Sequence, residues 1–146
     1  MGEQIAAQLE LAELPRIDTK SAEAIRERIK QYFDWCIAND TRPHVEQMAL
    51  ALHVSRQSLW NWRREGGERG EVIEQAVQVL ASLHEGWGIT GKLNPAVFIF
   101  VGKNHFGYRD SVEIEAVAHG LPAAQRSPAE IEKILSEDIP QDIPEE

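Results

Sequence analysis

Residues 45–64, VEQMALALHVSRQSLWNWRR, restrict this chain more than any other stretch, because they read as two short helices joined by a tight turn. Ala49 is small enough at mid-helix for a second helix to cross closely. Leu52 closes the first helix and His53-Val54 make the turn. Ser55 has the hydroxyl that caps a second helix. Val45, Met48, Ala49, Leu52, Val54, Leu59 and Trp62 point inward, which is the internal packing of a helix-turn-helix. Ser55, Arg56, Gln57, Trp60, Asn61 and Arg64 point outward. That set favours hydrogen bonds to phosphates and base edges over the Glu/Lys mixture of an idle solvated face. The bland alternative is a plain three-helix core.

Each outward residue has an expected role. Arg56 and Arg64 suit phosphate or guanine O6/N7, and Gln57 and Asn61 suit adenine N6/N7. Ser55 lies where backbone N–H groups and the helix dipole favour a phosphate. Trp60 has two readings: stacking or contact with a thymine methyl, or packing against a neighbouring helix. Arg42 and Arg63 are expected on the DNA backbone rather than on bases. His53 departs from the motif, since the turn position favours glycine for its positive φ. A histidine there costs about 1 kcal/mol and predicts a slightly altered turn.

The net charge of −9 argues against a non-specific basic DNA coat. The charge is uneven: residues 20–70 hold nine Lys/Arg against seven Asp/Glu, and residues 71–146 hold five against thirteen. A mildly basic middle and an acidic remainder suit a DNA reader joined to a protein-binding or self-associating part. The single cysteine, Cys36, excludes an intrachain disulfide and lies on an apolar stripe, as a small buried hydrophobe would. The N-terminus has no basic region followed by an apolar run, and Ala96–Val101, the longest apolar stretch, is too short to span a bilayer. A soluble intracellular protein is expected, with no membrane partner.

The fold class expected is mainly α: an N-terminal helix-turn-helix domain, a central helical-hairpin oligomerisation segment, a short C-terminal β-strand and a disordered acidic tail. Residues 1–20 form an N-terminal arm, acidic and ordered only against a partner, in which Ile5, Leu9 and Leu11 could share a helix face. Residues 21–67 are the helix-turn-helix domain. Its first helix, Ser21–Asn39, has an apolar stripe of Ile25, Ile29, Tyr32, Phe33 and Cys36, with Asp18, Thr19 or Ser21 as cap. Pro43 is placed in the first turn of the next helix, His44–Leu52. Gly66-Gly67 and Gly70 read as a flexible joint.

Residues 71–110 form the hairpin. Val72, Ile73, Ala76, Val77, Leu80 and Leu83 repeat at helical spacing over 71–84, and Gly86–Leu93 is a turn. Asn94-Pro95 is a cap and first-turn proline that tilts the short apolar run Ala96–Val101 towards helix, reaching about Asn104. Two apolar helices carry more greasy surface than a small domain can cover, which predicts self-association. Residues 111–118, where Val112, Ile114 and Ala116 alternate with glutamates, read as a short strand. Residues 119–146 are an acidic, proline-containing tail.

Other motifs carry less. Gly86-x4-Gly91-Lys92 is spelled like the start of a phosphate-binding loop, but Leu93 replaces the Ser/Thr that holds magnesium and Asn94-Pro95 stops a helix from starting after Lys92. The five histidines form no i, i+4 pair and there is no cysteine cluster, so no metal site is expected. No nucleophile, triad or carboxylate cluster marks an enzyme, and no cofactor is expected.

Residues 94–110, NPAVFIFVGKNHFGYRD, resemble the small subunit of phage terminase, in which a helix-turn-helix often precedes a segment N-P-x-x-x-I-F-x-x-K-N-x-F-G-[YW]-x-D. The matching positions are Asn94, Pro95, Ile99, Phe100, Lys103, Asn104, Phe106, Gly107, Tyr108 and Asp110. The likeness spans about residues 21–118. It implies a non-catalytic subunit, working in the host bacterial cytoplasm, that binds double-stranded DNA at the viral packaging site. It also implies recruitment of the large ATPase/nuclease subunit and assembly with itself into a ring. The oligomerisation residues expected are Val77, Leu80, Val97, Phe98, Phe100, Val101, Phe106 and Tyr108. The competing reading is a dimeric helix-turn-helix transcription regulator.

Overall fold

Three side-chain caps set the helix starts. The structure, a computed structural model, describes residues 1–109. Its helices are α1 (Gly2–Ala12), α2 (Ala22–Ala38), α3 (Val45–Ala51), α4 (Arg56–Glu65), α5 (Gly67–Ile89) and α6 (Pro95–His105), with no strand among the described residues. The Ser21 hydroxyl accepts the Ala24 N–H at 3.1 Å, Ser55 accepts that of Ser58 at 3.2 Å, and Asn94 accepts that of Ala96 at 2.9 Å. Pro95 follows as the first residue of α6, where its missing N–H costs nothing. Pro43 lies outside the first turn of α3, immediately before the N-cap His44. The expected strand at 111–118 and the tail at 119–146 lie outside the described residues.

Three helix ends share one device. After α2, α3 and α5 the chain places Asp40, His53 and Gly91 at φ 48°, 58° and 72°. Around each, two N–H groups turn back to the helix's last carbonyls: Thr41 to Cys36 and Asp40 to Ile37, Val54 to Ala49 and His53 to Leu50, Lys92 to Trp87 and Gly91 to Gly88. This is the Schellman arrangement, which satisfies carbonyls that would otherwise lack partners. It corrects two expectations. His53 adopts the positive φ of the motif, so the turn is not altered, and α5 runs through Gly86 and Gly88 so that the turn begins only at Thr90. The phosphate-loop spelling therefore falls on a helix end.

The core lies between α2 and α5. Ile25, Ile29, Tyr32 and Cys36 of α2 and Val72, Ile73, Ala76, Val77 and Leu80 of α5 are buried with Met48, Ala49, Leu52 and Leu59 of the two motif helices. α5 packs on α2, α4 and α6, while α3 packs on α1, α2 and α4. Gly66 (φ 75°) turns the chain between α4 and α5. A Cβ on Gly70 would stand 2.6 Å from the Trp62 carbonyl oxygen, so only glycine lets α5 start this close to α4. The expected joint is a tight corner.

α1 orders on its own chain, contrary to the expectation that it needs a partner. Leu11 is fully buried, and α1 packs on α3. Two side chains tie the following loop to the motif. The Arg28 guanidinium donates to the Ala51 carbonyl at 2.8 Å and to the Pro15 carbonyl, and the His53 ring donates Nε2–H to the Leu14 carbonyl at 2.6 Å. Burial lowers the Arg28 pKa from its ordinary value, though the group stays charged. On the other side Tyr32 Oη donates to Gln47 Oε1 at 2.8 Å and accepts the His44 N–H at 3.1 Å, which fixes the start of α3 against α2. Desolvation raises the pKa of both the Tyr32 phenol and the Cys36 thiol, keeping them neutral in this seam.

Candidate nucleic-acid interface

The first turns of α4 stand clear of the core. Leu59 is fully buried in the core, and this orients the helix so that Ser55, Arg56, Gln57, Asn61 and Arg64 are all exposed. Gln57 Nε2 donates to Asn61 Oδ1 at 3.0 Å, and the same oxygen accepts from Arg64 at 3.5 Å, so the three polar side chains form one strip along the helix. At the N-terminal end Arg56 pairs with Glu46 of α3 at 3.3 Å. Both partners are solvated, so the pair holds at most about 1 kcal/mol and can exchange for a phosphate.

The other three candidates, Arg63, Trp60 and Arg42, divide. Arg63 bends towards α5, where it pairs with Glu74 at 2.8 Å and lies 4.7 Å over the Trp60 ring. Trp60 is half-buried and takes the edge of the His105 ring at 6.2 Å, so the packing alternative holds for it. Arg42 donates to the Lys92 carbonyl at 2.8 Å and lies 5.3 Å over Trp87, linking the start of α3 to the α5–α6 turn. Trp62 is only partly buried and supports Arg69 at 4.6 Å.

Of the residues expected at a subunit contact, Val77 and Leu80 are buried in the chain's own core. Phe98 lies between α6 and α5. It stacks on His84 at 4.9 Å, and His84 Nε2–H donates to the Phe98 carbonyl at 2.9 Å. An assembly test on Phe98 would therefore disturb the hairpin itself. Phe106 packs 5.2 Å from His84 and against the core. Val101 and Tyr108 are partly buried, while Val97 and Phe100 are exposed. Phe98, His84, Phe106, His105 and Trp60 thus form a continuous line of rings from the hairpin to α4.

Several of these partners were not evident from spacing. Glu46 lies ten residues before Arg56, and His105 comes from a helix expected to belong to another segment. His105 Nδ1 is buried without a hydrogen-bond partner. Desolvation first, and then the nearby Arg56 charge, hold its imidazole below the ordinary histidine range. His105 also lines a cleft of about 300 Å³ with His44, Glu46, His84, Trp87, Val97 and Val101.

A family model, that of DNA-packaging protein gp3, matches residues 16–114. The chain belongs to this family. The match runs from the loop before α2 through the whole of α6, so α2, α3, α4, α5 and α6 all lie inside it. A phage DNA-packaging role follows for this gp3-family protein, and the likeness to terminase small subunits agrees with it. No curated protein and no solved structure matches the chain. Among the described residues no helix is long and apolar enough to cross a membrane, and no group of His, Cys, Asp and Glu is placed to hold a metal ion.

Proposed function

We propose that this packaging-family protein is the non-catalytic DNA-recognition subunit of a phage terminase. It binds the packaging site of the viral genome as a homo-oligomeric ring and recruits the large subunit that carries ATPase and nuclease. The observation that carries the reading is the exposed strip Ser55, Arg56, Gln57, Asn61 and Arg64 on a helix capped and anchored as a recognition helix.

In this reading α4 enters the major groove by its N-terminal half. A phosphate sits at the Ser55-capped N-terminus and draws Arg56 away from Glu46, a solvated exchange that costs little. Gln57 and Asn61 present their amides to base edges, and Arg64 reaches a guanine or the backbone. Trp60 and Arg63 act from behind, holding α4 against α6 and α5, while Arg42 ties the start of α3 to the α5–α6 turn. A chain with net charge −9 gains little from general attraction to DNA. Several modules on one ring compensate through avidity, on the order of 10² or more.

The test combines light scattering with nuclease footprinting on the genome's packaging-initiation region. The proposal expects an assembly of many subunits and protection over several helical turns. A dimer protecting two half-sites one turn apart would instead establish a transcription regulator.

A further inference from the structure

The loop between α1 and α2 is held by three basic side chains, each donating to one of its carbonyls. His53 donates to that of Leu14 at 2.6 Å, Arg28 to that of Pro15 and Arg69 to that of Thr19 at 3.0 Å. Leu14 and Ile17 pack on the core, while Arg16, Asp18 and Lys20 are exposed. Asp18 is engaged within the loop, its Oδ1 accepting the Lys20 N–H at 3.0 Å. Among the described residues no ion pair or hydrogen bond engages the Arg16 or Lys20 side chain.

These anchors lay the loop along one flank of α4. At helical spacing Trp60 and Arg63 fall to one side of the buried Leu59, and Ser58 and Trp62 to the other. The first side is taken by α5 and α6 through Glu74 and His105. On the second, Arg69 lies 4.6 Å over Trp62, pairs with Glu65 at 3.1 Å and holds Thr19, so the loop ends beside the last turns of α4. It begins beside His53, two residues before the Ser55 cap. Five residues of extended chain reach about 17 Å, enough to follow a helix of about 15 Å from end to end.

We propose that this loop is a phosphate clamp beside the recognition helix, with Arg16 and Lys20 each taking a phosphate of the DNA strand that borders α4 on its Trp62 side. A helix in the major groove has a phosphate strand on either side of it. On the α5–α6 side Arg63 is committed to Glu74, whereas on the loop side Arg16 and Lys20 are free when DNA arrives. The nearest carboxylates are Glu13, Asp18 and Glu65, of which Glu65 is paired with Arg69 and Asp18 caps the loop backbone. Fixing the loop through three of its carbonyls removes the ordering cost that a free arm incurs on binding. Phosphates carry no sequence information, so the clamp adds affinity and orientation without reading bases. The inference rests on the reading of α4 above and adds where the chain grips the backbone.

The experiment measures the affinity of full-length wild type, Arg16→Ala, Lys20→Ala and Lys30→Ala for a packaging-initiation duplex and a scrambled duplex over a range of salt. Lys30 is the charge control: it is exposed on α2 two residues from Arg28, hence on the opposite face of that helix from the loop. All three substituted side chains are exposed, and circular dichroism checks helicity. One phosphate contact carries a salt slope of about 0.9, or roughly eightfold in affinity at 0.1 M salt. Arg16→Ala and Lys20→Ala each lose about that much, with a shallower slope and an unchanged preference for the packaging duplex, while Lys30→Ala loses less than about twofold. Equal losses in all three would reduce the effect to net charge and overturn the clamp. So would full affinity in Arg16→Ala and Lys20→Ala beside a weakened Arg56→Ala/Arg64→Ala. Full affinity in Arg56→Ala/Arg64→Ala would instead remove the reading of α4, and the clamp with it.

Discussion

Gly86 and Gly88 are two residues apart in α5, yet replacing each by alanine has opposite expected results. A glycine-to-alanine change inside a helix gains about 1 kcal/mol by removing backbone freedom from the unfolded chain. At Gly86 a new Cβ meets nothing within 4 Å, so the gain is realised in full. At Gly88 the Cβ would stand 2.4 Å and 2.5 Å from Cε2 and Cδ2 of Phe98. The ring cannot simply swing aside, because it stacks on His84, whose Nε2–H holds the Phe98 carbonyl. Overpacking of this kind costs about 1–3 kcal/mol, which cancels or exceeds the propensity gain. Thermal unfolding followed by circular dichroism should show Gly86→Ala melting several degrees above wild type, at roughly 4 °C or more per kcal/mol for a domain of this size. Gly88→Ala should melt at or below wild type, with increased hydrogen exchange in α6. Equal stabilisation by both substitutions would refute the close packing of α6 on α5.

Glu46→Gln releases Arg56 and should strengthen DNA binding roughly two- to fivefold, since an exposed pair holds at most about 1 kcal/mol; unchanged or weaker binding in a titration would remove Arg56 from the interface. His53→Ala keeps the strained φ and loses the bond to Leu14, costing about 1 kcal/mol or more in chemical unfolding, whereas His53→Gly, which relieves the strain, should lie closer to wild type. His105 faces His44 and Glu46 at α3, Arg56 of α4 and His84 of α5. Its folded pKa is lowered, so below the ordinary histidine value of about 6.5 the unfolded chain binds the extra proton first. Its stabilising contribution is therefore complete above that pH and lost as pH falls through the lowered value. The melting temperature should drop between pH 7.5 and 5.5 with a slope that His105→Gln makes shallower; an unchanged slope would show that His105 is not the group responsible.

Much of the architecture could be read locally. Ser21, Ser55 and Asn94-Pro95 announce their helices because a cap acts within three residues. The same cap resolves Ala96–Val101, whose periodicity is ambiguous, as a helix. What could not be read depends on distant partners. His53 looks like a defect in the turn until the Leu14 carbonyl, 39 residues earlier, is placed beside its ring. Val77 and Leu80 form a legible apolar stripe, but the pattern does not say whether another subunit or α2 covers it. The outward strip of α4 was legible from helical spacing. Its subdivision was not, because Glu74 and His105, which engage Arg63 and Trp60, come from later helices.

The central claim is that the exposed face of α4 reads DNA. It is tested most directly by measuring, at fixed salt, the affinity of wild type and of the double variant Arg56→Ala/Arg64→Ala for a duplex from the packaging-initiation region. Light scattering run alongside reports the assembly state. The account predicts at least about a tenfold loss of affinity, a weaker salt dependence and an unchanged assembly. Equal affinity in the variant, with assembly intact, would contradict it.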